Sequence, residues 1–289
     1  MGRIDDQLQA RPEGPLTSSA PLRAVAGFAR IETGKLDRTS VLAGVGAVFV
    51  FFALGWLCLE LSRFGAALAS VWLPAAVATT FLLKDRFSNE VPAYAGFAAA
   101  LFLVNLTAGH SAFLAASYTL GNVVEVVLVT AFLRRTCKDT FDVSDVQHLG
   151  QLLLAGGLVG PICSSLLVAA LISLSGAPSS LRILPWFMAH SMGMVLIVPT
   201  ALVVLNALRA PNFPPASKIA QHGFLMAGGL LIVAAVFAQD QYPLLFLIPP
   251  ITLLMAFRVG GFGTAIYVPI IAALTTIMTV NGMGPIAVA

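Results

Sequence analysis

From residue 40 onward, apolar runs follow one another with short polar breaks, near 41–61, 66–83, 91–107, 112–133, 149–174, 186–207, 222–239, 243–257 and 264–284. Apolar residues are continuous within each run rather than alternating, so the period is not that of half-buried strands. A helix rising 1.5 Å per residue needs roughly 20 apolar residues to cross about 30 Å of hydrocarbon. In lipid, only helices or closed barrels satisfy every backbone polar group, and the barrel pattern of alternation is missing. The pattern predicts an all-α fold, a polytopic transmembrane helical bundle of about nine spans. The runs at 66–83 and 243–257 are short and hold Pro74, and Pro249 with Pro250, so breaks or strong tilt are expected there.

The polar breaks are unequal. Six basic residues precede the first run: Arg3, Arg11, Arg23, Arg30, Lys35 and Arg38. Eight more follow even-numbered runs: Lys84, Arg86, Arg134, Arg135, Lys138, Arg209, Lys218 and Arg258. Only Arg63 and Arg182 fall on the other side, a bias that predicts a cytoplasmic N-terminus. Composition agrees, with 58% hydrophobic and 10% charged residues and a mean hydropathy of +0.91. The net charge of +3 is thus an orientation signal; the basic residues form no stripe, and no nucleic-acid partner is expected.

Residues 1–40 read as a cytoplasmic, poorly ordered tail with Pro12, Gly14, Pro15, Ser18 and Ser19, and a short amphipathic helix from Leu22 to Ile31 would suit the membrane surface. Residues 41–289 read as one multi-span membrane domain. An odd number of crossings leaves Ala289 outside, which favours a chain truncated before a final span and an output domain. Cys58, Cys137 and Cys163 read as unpaired thiols. The four histidines are scattered, no metal or cofactor is expected, and no hydrolase or phosphate-binding motif is present.

An ionisable group in hydrocarbon costs several kcal/mol unless neutralised or paired, so such groups are candidates for function. Glu125 stands out, near the middle of the fourth run, sharing a helix face with Asn122 and Tyr118. It serves either as an interhelical hydrogen-bond clamp or as a sensing or ligand-contacting group. Glu60, Trp72, Asn105, Trp186, His190 and Ser191 group by depth in the outer half and would line a pocket for a small polar ligand or a lipid headgroup. The tryptophans also suit plain interface anchoring. Depth would further allow His190 to pair with Glu60. Gly156, Gly160 and Ser164 recur every four residues, a spacing that lets helices approach closely, with internal packing favoured over dimerisation.

Three segments carry a family resemblance: VWLPAAVATTFLL with Trp72 and Pro74, LGNVVEVVLVTAFLRR with Leu120, Gly121, Asn122 and Glu125, and PWFMAHSMGMVLIVPTALVV with Trp186, Gly193 and Pro199. Their order, with Gly282 to Pro285 as a late G-x-G-P, resembles the bacterial membrane-associated sensor domain of the first type (MASE). The pattern departs at His190, where the family is expected to carry an acid. The resemblance implies a sensory input module of the bacterial inner (plasma) membrane, feeding a histidine kinase or diguanylate cyclase. It implies as partners membrane lipid, an unknown small ligand or partner membrane protein, and a second copy joined through the output domain. The competing expectation is a secondary transporter with Glu125 as coupling site, which a faint internal echo supports: Pro74, Phe87 and Gly109 recur as Pro249, Phe262 and Gly284.

Overall fold

The computed structural model describes residues 31–63, 71–84, 87–137, 141–176, 180–209, 216–239 and 241–284. Residues 1–30, and with them nearly all of the expected tail helix, lie outside the described residues. The elements in order are α1 (Arg38–Arg63), α2 (Leu73–Lys84), α3 (Val91–Thr107), α4 (Ala112–Thr136), α5 (Val146–Leu154), a π-turn (Ala155–Val159), α6 (Gly160–Ser173), α7 (Ser180–Leu208), α8 (Ala216–Phe237), a 3₁₀ turn (Leu244–Leu247) and α9 (Ile248–Val280). The described residues are thus helical, with a single isolated bridge between Thr33 and Asn89.

Among the described residues, six stretches are long and apolar enough to cross a membrane: Arg38–Glu60, Ala112–Thr136, Val146–Ser173, Ile183–Leu208, Ser217–Phe237 and Leu244–Thr279. The nine apolar runs of the sequence thus appear as six stretches of full length and two shorter helices. Two differences account for this. At 12 and 17 residues, α2 and α3 are shorter apolar helices, and α2 rises only about 18 Å. The last two sequence runs lie in one helical stretch interrupted at Gly260, whose φ of 74° is left-handed.

That interruption reverses the chain. Unbroken, the 33 residues of α9 would span about 50 Å. Yet Gly284 packs on Phe237, so closely that an added Cβ would lie 3.3 Å from the Phe237 Cα. The link from Phe237 to Leu244 reaches about 24 Å at most. Both contacts hold only if the two halves of α9 fold back on each other at Gly260. In the echoed segments, Gly109 and Gly284 both follow the C-terminus of a helix with positive φ, 87° and 89°.

Among the described residues two large apolar cores result, beside a small third cluster of Tyr118, Val168 and Ile172. The larger, between α1 and α7, includes Phe51, Leu82, Phe97, Leu101, Val126, Leu133, Leu152 and Met194. The smaller joins α8 to α9 through Val233, Phe237, Met255, Tyr267 and Ile271. Within the larger core α3 packs between α1 and α4, α4 meets α6 and α2, and α7 meets α2, α6 and α9. Close packing and interhelical hydrogen bonds hold such contacts, because lipid tails are as apolar as the helices.

Short polar residues set the helix starts. Ser111 Oγ accepts from Leu114 N at 3.3 Å, and Asp145 Oδ1 from Gln147 N at 2.7 Å. Asp37 caps α1, accepting from Ser40 N at 2.8 Å and from the Thr39 hydroxyl at 2.6 Å. Hydrogen bonds, those of the Ser40 and Thr39 side chains foremost, hold its carboxyl well below the usual carboxylate range. A carboxyl depressed by folding stabilises above its unfolded value of about 3.9 and loses that effect as pH falls through the folded value. Asp37→Ala should therefore fray the first turn of α1 at neutral pH. The native turn should keep its amide protection until well below pH 3.9, as hydrogen exchange would report.

Candidate functional site

Glu125 is fully buried at mid-helix on α4, and its carboxylate is the centre of a network drawn from three helices. Oε2 lies 2.6 Å from His190 Nδ1 on α7 and accepts the Ser164 hydroxyl of α6 at 2.7 Å. Ser164 Oγ in turn accepts the Trp186 indole N–H at 3.1 Å. The Trp72 indole N–H donates to Asn122 Oδ1 at 2.6 Å, and the Asn122 amide donates to the Tyr118 carbonyl at 2.9 Å. Both indole N–H groups are used inside the bundle.

The rings form a stack. Tyr118 and Trp186 lie 5.6 Å apart, Trp186 and His190 4.3 Å, and His190 and Trp72 5.6 Å, with interplanar angles of 22°, 16° and 17°. His190 therefore sits between two indole faces with the Glu125 carboxyl group on its edge. It is only 3% exposed, so the imidazole itself fills the place where the sequence suggested an open pocket. Among the buried polar atoms, Glu125 Oε1 has no hydrogen-bond partner.

Local backbone geometry makes this assembly possible. Gly193 lies against the backbone of Trp72, where an added Cβ would overlap the Trp72 carbonyl oxygen. One turn earlier, Trp72 N–H donates to the Ala189 carbonyl at 2.9 Å. The chain entering α2 is thereby pinned to α7, which holds the Trp72 ring over His190.

The expected site residues divide. Glu125, Asn122, Tyr118, His190, Trp72 and Trp186 come together, joined by Ser164, which had been read as a packing residue. The Nδ1 that depth would have offered to Glu60 faces Glu125 instead; Glu60 is half-buried near the end of α1. Asn105 spends its amide on the Leu101 carbonyl of its own helix, at 2.8 Å. Ser191 turns away from the pocket and donates to the Gly157 carbonyl at 2.6 Å. Gly156, Gly160 and Ser164 all pack inside the bundle, but against two different helices. The π-turn rotates the helix between the glycines, so Gly156 meets Met194 of α7 while Gly160 meets Val129 and Glu125 of α4.

A second polar centre was not expected. Glu90, 1% exposed at the start of α3, forms a two-pronged ion pair with Arg134 near the end of α4, at 2.6 and 3.0 Å. The same guanidinium donates to the Leu82 carbonyl at the end of α2. Backbone bonds stitch the segment before α1 alongside: Gly34 N to Ser88 O and Glu90 N to Glu32 O, each at 2.8 Å. Residues 32–35, counted with the tail in the sequence, thus run along Ser88–Glu90. Arg134 had registered only as an orientation signal. An acid at one helix start and an arginine at a neighbouring helix end, at equal depth, was the available clue. A small apolar cavity of about 10 Å³ lies between α1, α2, α3 and α4, lined by Phe51, Phe81, Tyr94 and Phe97 among others. It is water-sized and too apolar to hold a water.

The helices and their apolar length define a multi-pass membrane protein. The model of the MASE1 family matches residues 41–289, and the chain belongs to that family of membrane sensory input domains. It is also similar to a probable diguanylate cyclase, DgcE, of Escherichia coli (strain K12), at 28% identity over 167 residues. That match covers 56% of this chain and 14% of the relative, so the chain spans a small part of that protein's length. No solved structure matches it.

Proposed function

We propose that the chain is the input half of a signalling protein. In this reading it crosses the bacterial inner membrane about nine times from a cytoplasmic N-terminus. A small ligand or the state of the membrane biases the Glu125–His190–Ser164 network between two packings. The bias passes to a cytoplasmic output, a diguanylate cyclase or histidine kinase, acting as a dimer. The observation that carries this is a fully buried mid-helix carboxyl group held by residues of two other helices, at the edge of an imidazole stacked between two indoles. Such a group is costly to bury, and any change that alters its pairing shifts the packing of three helices at once. The relative named as a diguanylate cyclase supports that kind of output.

Glu125→Gln and His190→Ala, each made in the protein expressed from its native reading frame, should shift output by about fivefold or more, the scale of a typical coupling free energy. Membrane insertion should be retained. Unchanged signalling in both would remove the network from the sensing role. A second reading, secondary transport with Glu125 as coupling site, draws on the echo of Pro74, Phe87 and Gly109 as Pro249, Phe262 and Gly284. Substrate flux in liposomes, abolished by Glu125→Gln, would favour it over sensing.

A further inference from the structure

Between Val146 and Ser173 the helical path contains one turn too wide for an α-helix. Gly160 N–H reaches back five residues to the Ala155 carbonyl. The cause lies one residue on. Pro161 has no N–H, and its ring would clash with the carbonyl four residues earlier, that of Gly157. Ser191 of α7 supplies the missing donor, its hydroxyl 2.6 Å from Gly157 O. Gly157 leaves no spare room on that side: an added Cβ would lie 3.1 Å from Val195 of α7.

A π-turn holds one extra residue, so the helix beyond it is rotated by about 100° relative to a regular continuation. Ser164, past the bulge, meets Glu125 in that rotated setting. Before the bulge, α5 is tied to α4, where the Cys137 thiol donates to Gln151 Oε1 at 2.9 Å beside the fully buried Leu152. A regular helix through 146–173 cannot keep both ties, because they belong to helix segments out of phase by one residue.

We propose that the Ala155–Val159 bulge, latched by the Ser191 hydroxyl on Gly157 O, is the two-state element that couples the Glu125 network to α5. Bulged, the segment keeps both the Ser164–Glu125 and the Cys137–Gln151 contacts. Relaxed to an α-helix, it turns α5 against α6 and breaks one of them. Ser191 and Pro161 are positioning residues in this device: one holds the bulge, and the other denies the regular helix its hydrogen bond. The device rests on the sensory reading for its purpose, and its geometry is tested separately.

Two single-cysteine forms of the full chain in nanodiscs, retaining Cys137 or Cys58 alone, allow maleimide labelling rates to be compared. Ser191→Ala and Pro161→Ala should each speed labelling of Cys137 by roughly threefold to tenfold, the population shift that one hydrogen bond controls. Labelling of Cys58, buried on α1, should stay unchanged, and Ser191→Thr should restore the slow rate at Cys137. Unchanged Cys137 labelling in both variants, or an equal rise at Cys58, overturns the device. If Glu125→Gln and His190→Ala leave output untouched while Pro161→Ala exposes Cys137, the sensory reading fails and the mechanical coupling stands. The reverse pattern leaves the sensory reading and removes the bulge.

Discussion

Arg134→Gln should destabilise the bundle by about 3–5 kcal/mol, the cost of leaving one partner of a buried ion pair uncompensated. Glu90 is 1% exposed, and both of its oxygens are engaged by the Arg134 guanidinium. The glutamine amide neither neutralises that carboxylate nor reaches it and the Leu82 carbonyl together. Arg134→Lys should recover only part of the loss, because an ammonium lacks the planar fork that serves three acceptors at once. Unfolding in mixed micelles measures the effect, and a loss below about 1 kcal/mol would refute the pairing argument. The double variant Glu90→Gln/Arg134→Gln should lose less than the sum of the two singles, since removing both charges leaves none stranded. Amide exchange at Gly34, whose N–H is held by Ser88 O, should quicken in Arg134→Gln as the stitched segment loosens.

The second large effect is expected at a residue with no side chain. Gly193→Ala would drive a methyl group into the Trp72 carbonyl, and this neighbour is backbone, so no rotamer change relieves it. Either α7 or the entry to α2 must move, at about 1–3 kcal/mol, the usual cost of overpacking. The Trp72 N–H to Ala189 O bond is the first to be lost, and the Trp72 ring then leaves the face of His190. The near-ultraviolet circular dichroism of the three tryptophans should fall, and output should be lost more completely than in Glu125→Gln, which keeps a hydrogen-bonding group of the same shape. A native-like spectrum in Gly193→Ala would show that the close approach is dispensable. The comparison separates positioning from chemistry at the same site.

Much of the site was legible because depth and helix face are local properties. A carboxylate at the middle of an apolar run, with Asn122 and Tyr118 on its face, follows from the 3.6-residue period alone. Its partners were harder to read. His190 and Ser164 were each noticed, one for its depth and the other for its spacing, but nothing local says that α6 and α7 both close on α4. Ser191 faces elsewhere for a related reason. Depth placed it beside His190, whereas the carbonyl freed by Pro161 recruited it to a different helix. The spacing of Gly156, Gly160 and Ser164 indicates close helix approach, but the π-turn between the glycines decides which helix each one meets. Glu90 was passed over because an acid at a helix start reads as an ordinary capping residue until the arginine opposite it is known.

The sequence by itself determined that this is a helical membrane protein, roughly where its apolar segments lie, and which carboxylate stands deep within them. Those properties depend on the solvent each residue must face, and a one-dimensional pattern of polarity is enough to state them. Only the tertiary structure decided which helices surround Glu125, that an imidazole fills the ring cage, and that the last apolar stretch doubles back at Gly260. Pairing between distant segments depends on side-chain shape and on backbone groups freed by proline or left-handed glycine, and these leave no period in the chain.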